Sequence, residues 1–261
     1  MHNKIQNKCL VAVKKVINPY ARIKIKPDFS GIETQNMPFV MNPFDEVAIE
    51  EAVKLKTAGC LQSIIAVSIG NDCKDILMQA LARGADLAIF IKTEQFMTPL
   101  NIAKILQYLV LENKIDIVFL GKQSVDNDYN QTGQMLAGLL NWPQACFISK
   151  INFNSELFNT IEVEREIDSN IETLEINLPA IITIDLQPNE PKYISLPQLM
   201  QAKKKQLDTI LLEQLSSNLK NFTLNNIQIL KTCPPPQKPL GIKIQTASEL
   251  ISQLKFKDKV L

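Results

Sequence analysis

Short apolar runs alternate with segments whose apolar residues recur every three to four positions through the first 150 or so residues. Residues 9–13, CLVAV, suit a central strand. The stretch that follows, NPYARIKIKPDFSGIETQNMPFVM, holds too many prolines and turn formers for a helix. NPFDEVAIEEAVKLKTAG then predicts one: Asn42 stands at a cap position, Pro43 suits the first turn, Asp45 and Glu46 face the positive end of the dipole, and Gly59 can end it. Its apolar residues Phe44, Val47, Ala48, Ala52 and Leu55 fall on one stripe. The cycle repeats with SIIAVSIG (63–70) and DCKDILMQALARGA (72–85), then ADLAIFI (85–91) and TPLNIAKILQYLVLENK (98–114), then IDIVFLG (115–121). Apolar strands separated by amphipathic helices specify an α/β fold with a mostly parallel, doubly wound sheet covered on both faces.

After residue 145 the rhythm changes. ACFISKINF, LFNTIEVEREID, NIETLEINL and PAIITIDL are rich in β-formers with partial period-two alternation. They predict a hairpin or meander that extends the sheet with antiparallel strands, Pro179 and Pro188 bracketing the last. NEPKYISLPQLMQAKKKQLD reads as a proline-flanked exposed loop running into a helix that ends in lysines. Two readings stay open for it: a surface helix with cations at its negative end, or a protein-docking element with an apolar anchor beside charges that set encounter rates. The chain thus divides into an α/β domain, residues 1–205, and a C-terminal arm, residues 206–261. The arm has helix-like pieces, TILLEQLSSNLK and TASELISQLK, joined by TCPPPQKPLG, whose Pro234, Pro235, Pro236 and Pro239 hold the chain extended. With little core of its own and exposed apolar residues, the arm is expected to wrap around another subunit.

Composition narrows the chemistry. The chain has 261 residues, 46% of them hydrophobic, enough for one large core. Lysine and arginine (28) nearly cancel aspartate and glutamate (27), so no overall field draws the protein to nucleic acid or to an anionic membrane. Runs such as AIFI and PAIITI fall far short of the roughly 20 residues of a spanning helix, and MHNKIQNK lacks an apolar signal region, so no membrane insertion is expected. Cys9, Cys60, Cys73, Cys146 and Cys233 are odd in number, with no CxxC pair, which points to a reducing compartment and away from disulfides or zinc. The single histidine, His2, argues against Ser-His, Cys-His or histidine-metal catalysis.

In a parallel sheet, ligands bind beyond the carboxyl ends of the strands. Three segments should therefore meet at one edge: Ala12 to Lys14, Ser68 to Gly70, and the loop Gly121 to Thr132 after the fourth strand. Asn130, Gln131 and Thr132 stand just before the helix-like GQMLAGLL, where backbone N–H groups and side-chain donors can surround a phosphate, and Asn42 can join them. Spacing alone leaves a cap without a ligand equally open, and neither GxGxxG nor GxxxxGK[ST] occurs.

Several long motifs occur in order along nearly the whole chain: VAVKKVI, MNPFDEVAIEEAVKLK, ALARGAD, LGKQSVDNDYNQTGQMLAGLLNWPQ, VEREID, and LPAIITIDLQPNEPKYISLPQLMQAKKK. In these the sequence closely resembles the β subunit of electron-transfer flavoprotein. The resemblance implies an adenine-nucleotide-binding, Rossmann-like three-layer fold in a heterodimer whose α subunit holds most of one FAD, while this chain binds AMP structurally. It carries AMP contacts to Ala12, Asn42, Pro43, Phe44, Asp45 and Ile69, and to the run Gly121, Lys122, Gln123, Ser124, Val125, Asp126, Asn127, Asp128, Tyr129, Asn130, Gln131 and Thr132. Tyr20 and Phe44 match aromatic residues that approach the flavin, where an apolar wall excludes water and tunes potentials. Leu196 matches an anchor leucine that recognises acyl-CoA dehydrogenases, and Lys203, Lys204 and Lys205 match a basic run methylated in some animal relatives. The implied role is one-electron transfer from flavin dehydrogenases to a membrane electron-transfer flavoprotein-quinone oxidoreductase. The chain makes no bond itself, and its expected setting is a bacterial cytoplasm, or the mitochondrial matrix in a eukaryote.

The sequence departs from the pattern in places. Relatives carry cysteine where Asp45 and Ile69 stand, an acidic residue at Asn127 and a lysine at Gln201. A carboxylate beside a phosphate is repulsive, so Asp45 is expected to act through its backbone or to point toward a ribose. Two alternatives remain: a bifurcating complex with a second FAD in place of AMP, and a stand-alone adenine-nucleotide sensor on the same fold.

Overall fold

The computed structural model describes residues 7–153, 159–186, 192–216, 219, 222, 227, 229–238 and 240–260. His2, Pro188 and Pro239 lie outside them. Two compact units divide the chain: residues 1–22 with 34–227, and residues 23–33 with 228–261.

The first unit is the α/β layer structure that the alternating pattern predicts. Its central strands are β1 (Lys8–Ala12), β4 (Ser63–Gly70), β5 (Leu87–Lys92) and β6 (Ile117–Gly121), and a small antiparallel pair, β2 (Lys15–Ile17) with β3 (Phe39–Met41), follows β1. The helices are α1 (Pro43–Thr57), α2 (Lys74–Arg83), α3 (Pro99–Asn113) and α4 (Thr132–Leu140). Then come β7 (Gln144–Phe153), β8 (Thr160–Ile167), β9 (Asn170–Asn177), β10 (Ala180–Ile184), α5 (Leu196–Ala202), β11 (Gln206–Leu211) and α6 (Leu212–Ser216). Nine strands form one sheet in the order β11-β5-β4-β1-β6-β10-β7-β8-β9.

Alternate residues of each central strand serve opposite layers. Cys9, Val11, Ile64, Phe119 and Ile182 pack with α1 and α2, whereas Leu10, Val67, Ile89, Val118 and Ile181 pack with α3 and α4. Both sets are almost wholly buried, which is why these strands read as continuous apolar runs. The predicted stripe of α1, from Phe44 to Leu55, is buried. Gly59, with φ +79, follows its C-terminal end. Thr98 and Asn101 form a capping box at the start of α3.

Two sequence readings need correction. PAIITIDL is not an antiparallel extension: β10 lies inside the sheet and runs parallel to both β6 and β7. All five of its residues are buried, as a doubly covered parallel strand requires. Within the nine-stranded sheet the antiparallel ladder is confined to β7, β8 and β9. Second, the expected helix at TILLEQLSSNLK begins as strand, because Gln206–Leu211 pairs in parallel register with β5, and among the described residues of the stretch the helix is Leu212–Ser216. The compact α/β unit therefore continues beyond residue 205.

In the second unit, Ile25 and Ile32 form an antiparallel bridge, the Thr232 N–H donates to Phe29 O (2.9 Å), and the Lys231 ammonium sits 5.2 Å from the Phe29 ring centre. Helix α7 (Ala247–Ser252), capped by Thr246, continues into a π-helical turn, Gln253–Lys257. Leu230, Leu240 and Phe256 are exposed on this unit.

Candidate functional site

Beyond the carboxyl ends of β1, β4 and β6 lies a cleft of about 320 Å³. Fourteen of the residues expected at a nucleotide line it: Ala12, Asn42, Asp45, Ile69, Gly121, Lys122, Gln123, Ser124, Asp126, Asn127, Tyr129, Asn130, Gln131 and Thr132. Pro43, Phe44, Val125 and Asp128 do not. The cleft has two characters. Val67, Ile69, Met97, Ile102, Leu106 and Leu120 give it apolar surface, and the loop from Gln123 to Thr132 gives it amide, hydroxyl and carboxylate groups.

The first turn of α1 builds the floor. Asn42 occupies the N-cap position, but its side chain does not cap the helix. Its Nδ2 donates to Gln123 O (2.9 Å) and its Oδ1 accepts from the Val125 N–H (3.2 Å), so a residue expected to serve α1 instead holds the loop after β6. Asp45 is buried, and its Oδ2 accepts from the Lys14 N–H (2.8 Å) and its Oδ1 from the Gly121 N–H (3.1 Å). The carboxylate thus joins the ends of β1 and β6. Neither role expected for it, a backbone contact or one turned toward a ribose, accounts for this use of the side chain. Burial pushes the Asp45 carboxyl up to about 7, against the opposing pull of the N–H groups of Lys14 and Gly121, the Asn42 side chain and the Lys14 charge. Gly121 permits the arrangement, because a Cβ there would lie 2.4 Å from Asp45 Oδ1 and 2.5 Å from Phe44 Cβ.

The loop itself is tightly bonded. Lys14 Nζ reaches Asp126 (2.7 Å to Oδ2) and donates to Ser124 Oγ (3.2 Å). Gln123 Nε2 donates to Asp128 Oδ1 (2.9 Å), and the Asp128 N–H donates to Ser124 O (2.9 Å). Asp128 and Asn130 take left-handed φ values of +51 and +47, which asparagine and aspartate tolerate better than other side chains. The chain then enters α4 with no side-chain cap, Gln131 standing at the N-cap. Asn130 Oδ1 accepts from Gln134 Nε2 (2.9 Å), while Gln134 Oε1 is buried without a partner. The opening N–H groups of a helix lack intrahelical acceptors, so this end of the cleft favours an anion. Gly133 lets α4 approach β10, since a Cβ there would meet Thr183 Cγ2 at 2.5 Å.

Sequence reasoning missed one wall. Gln95, Phe96, Met97 and Pro99, from the loop after β5 and the start of α3, line the cleft with Ile102 and Leu106. The strand-end rule applied to β5 as well as to its neighbours would have found them. Val13, Lys14, Gly70 and Gly133 also line it. Lys122 does so while pairing with Asp185 (2.8 Å), its ammonium 5.4 Å from the Phe44 ring centre. Of the two residues matched to flavin contacts, Tyr20 is 96% exposed and Phe44 is 6% exposed.

The segment from Lys192 to Lys205 presents Tyr193, Leu196 and Met200 to solvent, 92%, 71% and 62% exposed. The three lysines are not equivalent. Lys203 and Lys204 are exposed, but Lys205 Nζ donates to Leu81 O (2.8 Å) and Ala85 O (2.6 Å) at the end of α2. Burial pulls the Lys205 ammonium below its ordinary pKa. All five cysteines are free thiols. Among the described residues no cluster of His, Cys, Asp or Glu could hold a metal ion, and no helix is long and apolar enough to cross a membrane.

Comparison with known proteins matches residues 31–214 to the electron transfer flavoprotein domain. The electron transfer flavoprotein subunit beta, mitochondrial, of Arabidopsis thaliana is 45% identical over 249 residues, covering 95% of this chain and 97% of the relative. The corresponding subunit beta of Mus musculus is 42% identical over 253 residues (95% and 96%), and that of Homo sapiens 41% over 251 residues (94% and 96%).

Proposed function

The chain belongs to the electron transfer flavoprotein family as a β subunit with an electron-transfer role, and from that premise we propose that it binds one AMP in the cleft and carries electrons without making bonds itself. The cleft carries the reading: its polar loop ends at a helix start suited to a phosphate, and its apolar surface suits an adenine. A volume of about 320 Å³ lies at the lower end of the range for small-molecule sites, roughly 300–1,000 Å³, and suits a mononucleotide better than a dinucleotide. Asp45 opposes an anion less than an ordinary carboxylate would, because both its oxygens are engaged by backbone N–H groups and its raised pKa leaves the carboxyl partly protonated at neutral pH.

In this reading Asn130, Gln131 and Thr132, with the first N–H groups of α4, hold the phosphate, and Ile69, Met97 and Leu106 exclude water from the base. FAD, which supplies the one-electron chemistry when bound, is held mostly by an α subunit, with Tyr20 and Phe44 on this chain's side. Leu196 and its neighbours dock acyl-CoA and related dehydrogenases, and a membrane quinone oxidoreductase receives the electrons. The C-terminal arm, beyond the edge strand Gln206–Leu211, wraps the α subunit, and the cytoplasm, or a mitochondrial matrix, supplies the reducing setting that free thiols suit.

Mass-spectrometric quantification of the small molecules released from the native heterodimer tests this. One AMP and one FAD are expected. Two FAD and no AMP would turn the cleft into a redox site, and an isolated chain that binds ATP as a stable monomer would refute the subunit role.

A further inference from the structure

The last turn of α2 holds both ends of the exposed segment 192–205. At one end, Arg83 Nη1 donates to Lys192 O (2.9 Å), which ties the main chain of this residue to α2. At the other, Lys205 Nζ donates to Leu81 O and Ala85 O. Tyr193, Leu196 and Met200 stand exposed between these two points.

Arg83 is an unusual residue at this place. Its side chain is 7% exposed and forks onto two carboxylates of α1, Glu46 and Glu50, the latter at 2.5 Å. Glu46 and Glu50 are one helical turn apart, so they face the guanidinium together. Burial lowers the Arg83 pKa and raises that of Glu50, which is the cost of keeping such a cluster inside, and Arg83 Nε is left buried without a partner. A surface ion pair would contribute little, whereas a shielded, forked one has a defined geometry. Nη1, besides pairing with Glu50, directs an N–H at the segment that carries Leu196.

We propose that Arg83, with Glu50, is a positioning residue that fixes how the Tyr193–Leu196–Met200 surface is presented to the dehydrogenase. The proposal rests on the docking role given to that surface above. An anchor held in its bound arrangement loses less freedom on association, so the mount acts on recognition and leaves the flavin's chemistry alone.

The test uses the purified heterodimer with Arg83→Met, Arg83→Lys, Leu196→Ala and the Arg83→Met/Leu196→Ala pair. The KM for an acyl-CoA dehydrogenase that reduces the wild type is measured together with kcat, FAD content and hydrogen exchange over residues 192–199. Arg83→Met is expected to raise KM about tenfold with kcat and FAD content unchanged, to speed exchange at 192–199, and to add little once Leu196 is already alanine. Arg83→Lys keeps the charge but not the fork and should recover only part of the loss. An unchanged KM in Arg83→Met, with Leu196→Ala impaired, overturns the positioning role while the docking surface stands. If Leu196→Ala is itself silent, the docking role fails, and exchange alone decides the mount: unaltered protection of 192–199 in Arg83→Met and Arg83→Lys overturns it. A fall in kcat and FAD content in step with KM in both Arg83 variants marks a general structural role and overturns it as well.

Discussion

Asp45 is the most informative residue to perturb, because its carboxyl is buried at the join of two strand ends and held at about 7. Its unfolded value is the ordinary 3.8. A carboxyl whose pKa rises on folding stabilises the native state fully only below the unfolded value, and that stability is lost as pH climbs through the folded one. With these two values, linkage gives a loss of about 2 kcal/mol from Asp45 between about pH 5.5 and about pH 8.5. Asp45→Asn removes the titration, though its amide can accept from only one of the Lys14 and Gly121 N–H groups, so the variant is less stable at low pH by about 1–3 kcal/mol. Denaturant unfolding of both proteins across this pH range cancels every other titration in the difference. The stability advantage of the wild type should shrink by about 2 kcal/mol toward alkaline pH. A difference that stays constant with pH would mean that Asp45 titrates as an exposed carboxylate does, and the argument from burial would fail.

Other substitutions separate the parts of the site. Gly121→Ala should destabilise by about 1–3 kcal/mol and lower the AMP recovered with the complex, since its Cβ has no room between Asp45 and Phe44; full AMP content with native stability would refute this. Asn42→Ala leaves Gln123 O and the Val125 N–H without their partner and should cost about 2 kcal/mol in thermal or denaturant melts, with weaker nucleotide retention. Alanine at both Asn130 and Thr132 should lower AMP stoichiometry measured by mass spectrometry, and complete retention would remove the phosphate role from this loop. Leu196→Ala, on an exposed surface, should leave the melting temperature within about a degree while slowing reduction by a dehydrogenase.

The parts legible in the sequence are those where burial is uniform along an element. CLVAV, SIIAVSIG and IDIVFLG announce themselves because each is covered on both faces. The direction of β10 was not legible, since AIITI is equally apolar in either orientation and only its neighbours decide it. Strand β11 was hidden for the opposite reason: QLDTIL is half-exposed at the sheet edge and runs straight into a helix. The cleft followed from the strand-end rule wherever a strand end was considered, and the wall from Gln95 to Met97 was missed where it was not. Lys205 and Asn42 show the remaining limit. Each was assigned by its chain neighbours, yet each finds its partners in a distant segment, on α2 for one and on the loop after β6 for the other.

The insertion of β10 between β6 and β7 has a consequence for how the protein is made. Both neighbours leave the ribosome before it, and until residues 180–184 arrive each presents an unpaired strand edge. Pairing β10 with β6 closes a long loop, which is slow, and a growing chain that stops short of Ala180 has an open gap in the middle of its sheet rather than at its rim. Such a chain is exposed to aggregation while it waits, so the speed of synthesis through residues 144–184 and access to chaperones should govern the yield of folded subunit more than any contact made afterwards.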